Sequence, residues 1–129
     1  MGAYAVGLLK DISFGPDIVE YLERIDATLA PYSGRFLLHG EKPEVVEGSL
    51  EQDVIVIEFP DIDHARQWYR SPDYQAILPL RTRNAVGTVF LVDWLPAGHV
   101  ATDILQSVSE LSISGNSKTL LEEASRYGL

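Results

Sequence analysis

Residues 53–81 read DVIVIEFPDIDHARQWYRSPDYQAILPLR, and this stretch decides the fold because it predicts a strand followed by an interrupted helix. Its first seven residues alternate as in a strand with apolar side chains on both faces, and Pro60 ends the run. Glu58 interrupts one otherwise apolar face. Asp61 is suited to cap a helix, and Ser71, followed by proline and aspartate, is suited to cap its restart. A buried strand with a two-part helix after it is therefore expected.

The flanking residues complete a βαββαβ order. Strands are predicted over residues 3–9 and 85–94, and a helix from Pro16 to about Pro31. The apolar side of this helix is predicted at intervals of four, three and four residues, at Ile18, Leu22, Ile25 and Leu29. Residues 34–39 are extended, and residues 44–48 are predicted to pair back on them as a bent hairpin. Right-handed crossovers close these elements into an α+β, ferredoxin-like fold with a four-stranded antiparallel sheet and both helices on one face.

The other sheet face needs cover, and a short chain gains stability by pairing that face with a second copy. A homodimer is therefore expected. The chain is predicted to divide into a domain over residues 1–95 and a helical extension over residues 96–129. Helical spacing from Val100 to Leu111 and a capping box at Thr119 and Glu122 favour two further helices. They are predicted to pack on the partner subunit, with a disordered tail as the alternative.

Composition describes one ordinary globular domain, with 46% hydrophobic and 22% charged residues in 129. The formal charge is −9, so attraction to nucleic acid or to anionic lipid would act against the field of the whole molecule. Neither partner is expected. Cysteine is absent, which excludes disulfides and thiolate chemistry. The amino terminus has no leader pattern and no run of 18 apolar residues occurs, so a cytoplasmic, soluble protein is the expectation.

Five stretches of the chain resemble, in order, the domain-of-unknown-function 1330 family (DUF1330). They are AYAVGLLK (3–10), LAPYSGRFLLHG (29–40), VVEGSLE (45–51), VIVIEFPDIDHARQWYRSPDYQAILPLR (54–81) and TVFLVDW (88–94). The resemblance covers residues 3 to about 95 and implies a dimeric α/β barrel in which two ferredoxin-like subunits face each other through their sheets. It implies no reaction, because the wider superfamily combines oxygenases, isomerases, cyclases, haem-handling enzymes and proteins of unknown role.

His39 is the first candidate catalytic residue. At this place the family pattern more usually has arginine followed by two glycines, whereas this chain has His39, Gly40 and Glu41. An imidazole can move a proton near neutral pH, while an arginine only binds and stabilises negative charge. In the predicted hairpin, Glu47 lies near His39 and orients its ring. The alternative is a strand-end histidine bonded to a turn.

Glu58 is the third candidate catalytic residue. A carboxylate on an apolar strand must be paired with a cation, be protonated, or lie at the edge of the sheet in contact with water. A structural ion pair with Arg35, Arg81 or Arg83 is the alternative. Proton-transfer chemistry at His39 requires that His39, Glu47 and Glu58 converge on one enclosed cavity. If they are dispersed, that hypothesis fails.

The candidate substrate-binding residues carry rings or guanidinium groups: Arg35, Trp68, Tyr69, Tyr74 and Arg81. Aromatic side chains at helical spacing line a pocket or pack in the core, and both interpretations stay open here. Arg81 is suited to bind a carboxylate in bidentate fashion, or to form an internal ion pair.

No metal or cofactor is expected. The three histidines have none of the spacings that bind metal, and no phosphate-binding loop or dinucleotide fingerprint occurs. Two function classes follow. The first is a cofactor-independent cyclase, isomerase or hydrolase that transfers protons on a small acidic or aromatic compound. The second is a non-catalytic ligand-binding or accessory protein, and a cofactor-free monooxygenase is a further alternative.

Overall fold

The structure, a computed structural model, describes residues 2–106. Its helices and strands are, in chain order, β1 (Ala3–Lys10), α1 (Pro16–Leu29), β2 (Arg35–His39), β3 (Asp53–Phe59), α2 (Ile62–Arg70), α3 (Pro72–Thr82) and β4 (Val86–Asp93). Short 3₁₀ turns occur at Ala30–Tyr32 and Ala101–Ile104. The chain divides after Trp94 into two units. Within the described residues, no helix has the length and apolar character needed to cross a membrane.

The strands form one antiparallel sheet in the order β2-β3-β1-β4. This arrangement confirms the predicted ferredoxin-like α+β fold. The second helix is divided as predicted, because the Ser71 hydroxyl oxygen accepts a hydrogen bond from the Tyr74 backbone N–H at 3.3 Å and so caps α3. The restart changes the direction of the chain and brings α3 against α1.

The predicted hairpin between residues 34–39 and 44–48 is wrong. Residues 44–48 form no strand, and within the described residues β2 pairs with β3, with Arg35 opposite Glu58 and His39 opposite Ile55. The physical reason lies in the backbone. Pro43 lacks an N–H and Gly48 has a left-handed φ of +79°, so at most four residues between them could extend.

The buried side of α1 differs from the predicted one by a small rotation. Ile18 and Ile25 are buried as expected, but Leu22 is 42% exposed and Tyr21 only 8% exposed. Tyr21 tolerates burial because its hydroxyl forms a hydrogen bond with the Tyr74 hydroxyl at 2.8 Å. The inward side of α1 therefore carries the Tyr21 hydroxyl, which the spacing of hydrophobic residues alone did not indicate.

The core lies between the helices and one face of the sheet. Its largest fully buried side chains are Leu29, Phe59, Trp68, Tyr74 and Ile77. The Trp68 indole N–H donates to the Thr28 hydroxyl at 3.0 Å, so this ring is satisfied inside the core. Gly34 is required by close packing, since a Cβ there would lie 2.7 Å from Phe59 Cε1.

The opposite sheet face carries no helix of the Met1–Trp94 unit, as the sequence predicted. We call it the open face, and it presents Tyr4, Val6, Leu8, Val54, Val56, Phe90 and Val92. Phe90 and Val92 are each 43% exposed. Of the predicted carboxyl-terminal helices, only the turn at Ala101–Ile104 is described, and the segment from residue 107 onward lies outside the described residues.

Candidate ligand-binding cavity

A cavity of about 390 Å³ lies between α1 and the helix-covered face of the sheet. Its wall is mostly aliphatic and aromatic, and includes Ile18, Ile25, Phe36, Ile55, Ile57, Trp68 and Val89. Ala5 and Gly7 of the central strand β1 line it as well, and their small size keeps the space above this strand open. An engineered apolar cavity of about 150 Å³ holds benzene, so this volume accommodates a larger organic molecule.

Three polar groups in the cavity wall come from α1 and α3. The hydroxyls of Tyr21 and Tyr74 form a buried hydrogen bond, with ring centroids 6.2 Å apart in an edge-to-face arrangement. Arg81 places its Cζ 5.9 Å from the centroid of the Tyr21 ring. Because Pro72–Thr82 is helical, Tyr74 and Arg81 are two turns apart and lie on one side of α3. These three residues are the polar cluster of the cavity.

Arg81 is unusual in its surroundings. It is 7% exposed, and the salt bridges within residues 2–106 do not include it. Burial lowers the pKa of its guanidinium, while Tyr74 and Tyr21 raise it by more, so it stays cationic. Burial, reinforced by the Tyr74 hydroxyl, raises the pKa of Tyr21 far above its ordinary value. The cluster therefore combines a buried positive charge with neutral hydroxyls.

His39 lies at the mouth of the cavity. It is an exposed residue in the cavity wall, and its ring stacks on Phe36 with centroids 4.3 Å apart and planes inclined by 15°. Its backbone N–H donates to the Glu41 carboxylate at 2.5 Å, which lowers the pKa of Glu41. The structure thus fixes this strand end through Glu41. Glu47 lies in the exposed loop after β2, and no hydrogen bond within residues 2–106 joins it to His39.

Glu58 lies on the open face, away from the cavity. Its carboxylate accepts a hydrogen bond from the Arg35 guanidinium at 2.9 Å, with side-chain exposures of 19% for Glu58 and 71% for Arg35. Cross-strand pairing explains this choice of partner, because Arg35 stands directly opposite Glu58 in the β2–β3 register. The sequence left open a catalytic role or an ion pair for Glu58. In the structure Glu58 forms the ion pair.

The predicted site residues therefore separate into two groups. Four line the cavity, namely His39, Trp68, Tyr74 and Arg81. The other four, Arg35, Glu47, Glu58 and Tyr69, do not, and Tyr69 instead lines a second hollow with Arg66, Arg70, Gln75 and Leu91. The condition that His39, Glu47 and Glu58 converge on one cavity is not met, because Glu58 is on the other sheet face from His39 and Glu47 does not line the cavity.

Sequence reasoning missed Tyr21 and Gly7. The signal for Tyr21 was its position three residues after Ile18 and four before Ile25, which places a hydroxyl on the inward side of α1. For Gly7, the signal was the small size of Ala5 and Gly7 on one face of the first strand, which allows a helix or a ligand to come close to the backbone there.

The fold and the cavity define a ferredoxin-like subunit with an internal pocket between its helices and sheet. The family model for the domain of unknown function DUF1330 matches residues 2–95. The chain therefore belongs to the DUF1330 family. No curated protein matches the chain.

Two solved structures show the same fold. A protein of unknown function from Rhodopseudomonas palustris is 15% identical, with a TM-score of 0.55 over 74% of this chain and 83% of that one. SnoaB from Streptomyces nogalater, described as a cofactor-independent oxygenase, is 15% identical, with a TM-score of 0.51 over 77% of this chain and 98% of that one. At this identity the likeness concerns the fold alone.

Proposed function

We propose that this protein binds a small, largely apolar organic anion in the cavity between α1 and the sheet. The observation that carries the proposal is Arg81, a buried cation that faces a cavity and two tyrosines rather than a carboxylate. A buried charge is costly unless it is paired. A carboxylate or similar group of a ligand supplies the pairing, and the aliphatic wall binds the remainder of the molecule.

A hydrogen bond to a charged group contributes about 1.5–3 kcal/mol, or about 10- to 150-fold in affinity. The chain's charge of −9 repels anions at long range, so the preference for an anion must arise locally at Arg81. The Tyr21 and Tyr74 hydroxyls add neutral donors beside the same group.

Titration calorimetry with 2-naphthoate and its neutral isostere 2-naphthamide tests this proposal. The wild type should bind the acid at least about tenfold more tightly than the amide. The Arg81→Gln variant should lose that preference, because it removes the charge and keeps polar hydrogen bonding. Arg24→Gln is the matched control, since Arg24 pairs with Glu20 on the exposed side of α1. Equal affinities for acid and amide in the wild type would contradict the proposal.

We also infer that the protein forms a homodimer through the open face. The support is the apolar character of that face, where aliphatic and aromatic side chains from β1, β3 and β4 lie side by side and Phe90 and Val92 are 43% exposed. A contiguous exposed apolar surface of this kind marks an interaction site. A second copy fits because a two-fold axis pairs such a face with itself.

A second candidate function is cofactor-independent proton transfer on the bound anion. The observation that favours it is His39, whose imidazole is in the cavity wall. The three-residue hypothesis fails, since Glu47 and Glu58 do not line the cavity, so this narrower candidate uses His39 alone as the base. A cofactor-free oxygenase activity stays a prediction without support from a particular residue.

Hydrogen exchange of phenylpyruvate in D₂O, followed by ¹H NMR, tests the catalytic candidate. The wild type should accelerate loss of the benzylic hydrogens above the buffer rate, and His39→Gln should abolish the acceleration while leaving 2-naphthoate affinity unchanged. A wild type that gives no acceleration would overturn the catalytic candidate and leave the binding proposal intact.

A further inference from the structure

Gly7 occupies the centre of the sheet under the cavity. In the register of the sheet it pairs with Ile55 on one side and with Val89 on the other. All three residues line the cavity. A Cβ placed on Gly7 would meet only Ile55 Cβ at 3.7 Å and Val89 Cγ2 at 3.9 Å, and no atom of α1 within 4 Å. The space above Gly7 is therefore a slot, with backbone as its floor and two branched side chains as its walls.

The width of this slot follows from the same two distances. Together they limit the separation of Ile55 Cβ and Val89 Cγ2 to at most 7.6 Å at the level of the missing Cβ. A carbon atom packed on the face of a flat ring lies about 3.5–4.0 Å from the ring plane. Two walls with a ring between them are therefore about 7–8 Å apart. The upper limit of 7.6 Å falls within the range that a planar ring inserted edge-on requires. A saturated ring is thicker because its axial hydrogens project above and below, so it cannot reach the floor.

We propose that Gly7 is a specificity-determining residue, and that the slot above it selects a planar, aromatic anion. This inference rests on the proposed function and adds the shape of the ligand to its charge. The edge of the ring lies over Gly7 between Ile55 and Val89. The anionic group is held by Arg81, which lines the same cavity. Protein packing does not require glycine at this position, because the neighbours of the missing Cβ are at ordinary contact distance and leave room for a methyl group. The absence of a side chain at Gly7 is therefore explained by space for a ligand.

The test compares two acids of the same carbon skeleton, planar 2-naphthoate and saturated decahydro-2-naphthoate, by titration calorimetry. Gly7→Ala places one methyl group at the floor of the slot without forcing any protein atom to move. Gly15→Ala is the matched control, since a Cβ at Gly15 meets nothing within 4 Å and its φ of −171° is extended backbone. Thermal unfolding of both variants verifies that they fold like the wild type.

The wild type should prefer the planar acid by at least about tenfold, and Gly7→Ala should weaken its binding by a similar factor. Gly15→Ala should leave both affinities unchanged. If the wild type binds both acids equally, or if Gly7→Ala binds 2-naphthoate as the wild type does, the slot is refuted while the anion site stands. If the wild type binds neither acid, the anion site itself is refuted.

Discussion

Replacing Tyr21 by phenylalanine should change stability in opposite directions at neutral and at alkaline pH. The Tyr21 hydroxyl is buried, with the residue 8% exposed, and it shares a 2.8 Å hydrogen bond with Tyr74. Deleting it at pH 8 removes one buried hydrogen bond and leaves the Tyr74 hydroxyl without this partner. The free energy of unfolding should fall by about 1 kcal/mol, within a range of about 0.5–1.5 kcal/mol.

At high pH the same hydroxyl destabilises the wild type. Burial raises the pKa of Tyr21 in the folded state, while in the unfolded chain it titrates near its ordinary value of about 10. Below that pH the Tyr21 hydroxyl is protonated in both the folded and the unfolded state, so its hydrogen bond contributes its full stabilisation. Above it the unfolded state releases the proton and the folded state keeps it, so wild-type stability falls by about 1.4 kcal/mol per pH unit from this residue. The Tyr21→Phe variant lacks this loss, and the two stability curves should cross between about pH 10 and about pH 11.

Urea unfolding followed by circular dichroism at pH 8, 9.5, 10.5 and 11 measures both effects, at one fixed protein concentration because the proposed dimer would make stability depend on concentration. Tyr32→Phe is the control, since the Tyr32 hydroxyl makes no hydrogen bond within residues 2–106. Its curve should stay parallel to that of the wild type throughout. A Tyr21→Phe curve that also stays parallel up to pH 11 would refute the assignment of a buried, proton-retaining hydroxyl at this position.

Two further predictions concern packing and assembly. Gly34→Ala should lower the free energy of unfolding by about 1–3 kcal/mol in urea denaturation, because the new Cβ would lie 2.7 Å from Phe59 Cε1; unchanged stability would contradict the close approach. Phe90→Glu should convert the homodimer to a monomer in analytical ultracentrifugation, whereas Val19→Glu, at a 51% exposed position on α1, should leave it dimeric; a dimer that persists in Phe90→Glu would refute the open-face interface.

Much of the fold was predictable because it is encoded locally. The alternation in Asp53–Phe59 assigns β3 and its two faces, with Glu58 on the same face as Val54 and Val56. The Ser71 cap divided α2 from α3 for a reason contained in four consecutive residues. Trp68, Tyr74 and Arg81 were among the candidate substrate-binding residues and line the cavity, and helical spacing puts Tyr74 and Arg81 on one side of α3.

The errors concern pairings that local patterns do not decide. Residues 44–48 were expected beside β2, but they form no strand, and no hydrogen bond within residues 2–106 joins Glu47 to His39. The ion-pair partner of Glu58 could have been any of three arginines. The register of β2 on β3 places Arg35 opposite Glu58, and these two residues form the ion pair. Likewise, Tyr21 became part of the polar cluster only because α3 packs against α1 and brings Tyr74 to it.

By itself the sequence determined the four strands of the sheet, the helices between them, their order and the family, because periodicity, capping residues and turn residues act within a few positions of each other. The tertiary structure decided which strands pair, that His39 and Glu58 are on opposite sides of one sheet, and that Gly7, Tyr21 and Arg81 line one cavity. These outcomes depend on contacts between residues tens of positions apart, and which of several competing contacts forms is settled only when the whole core packs.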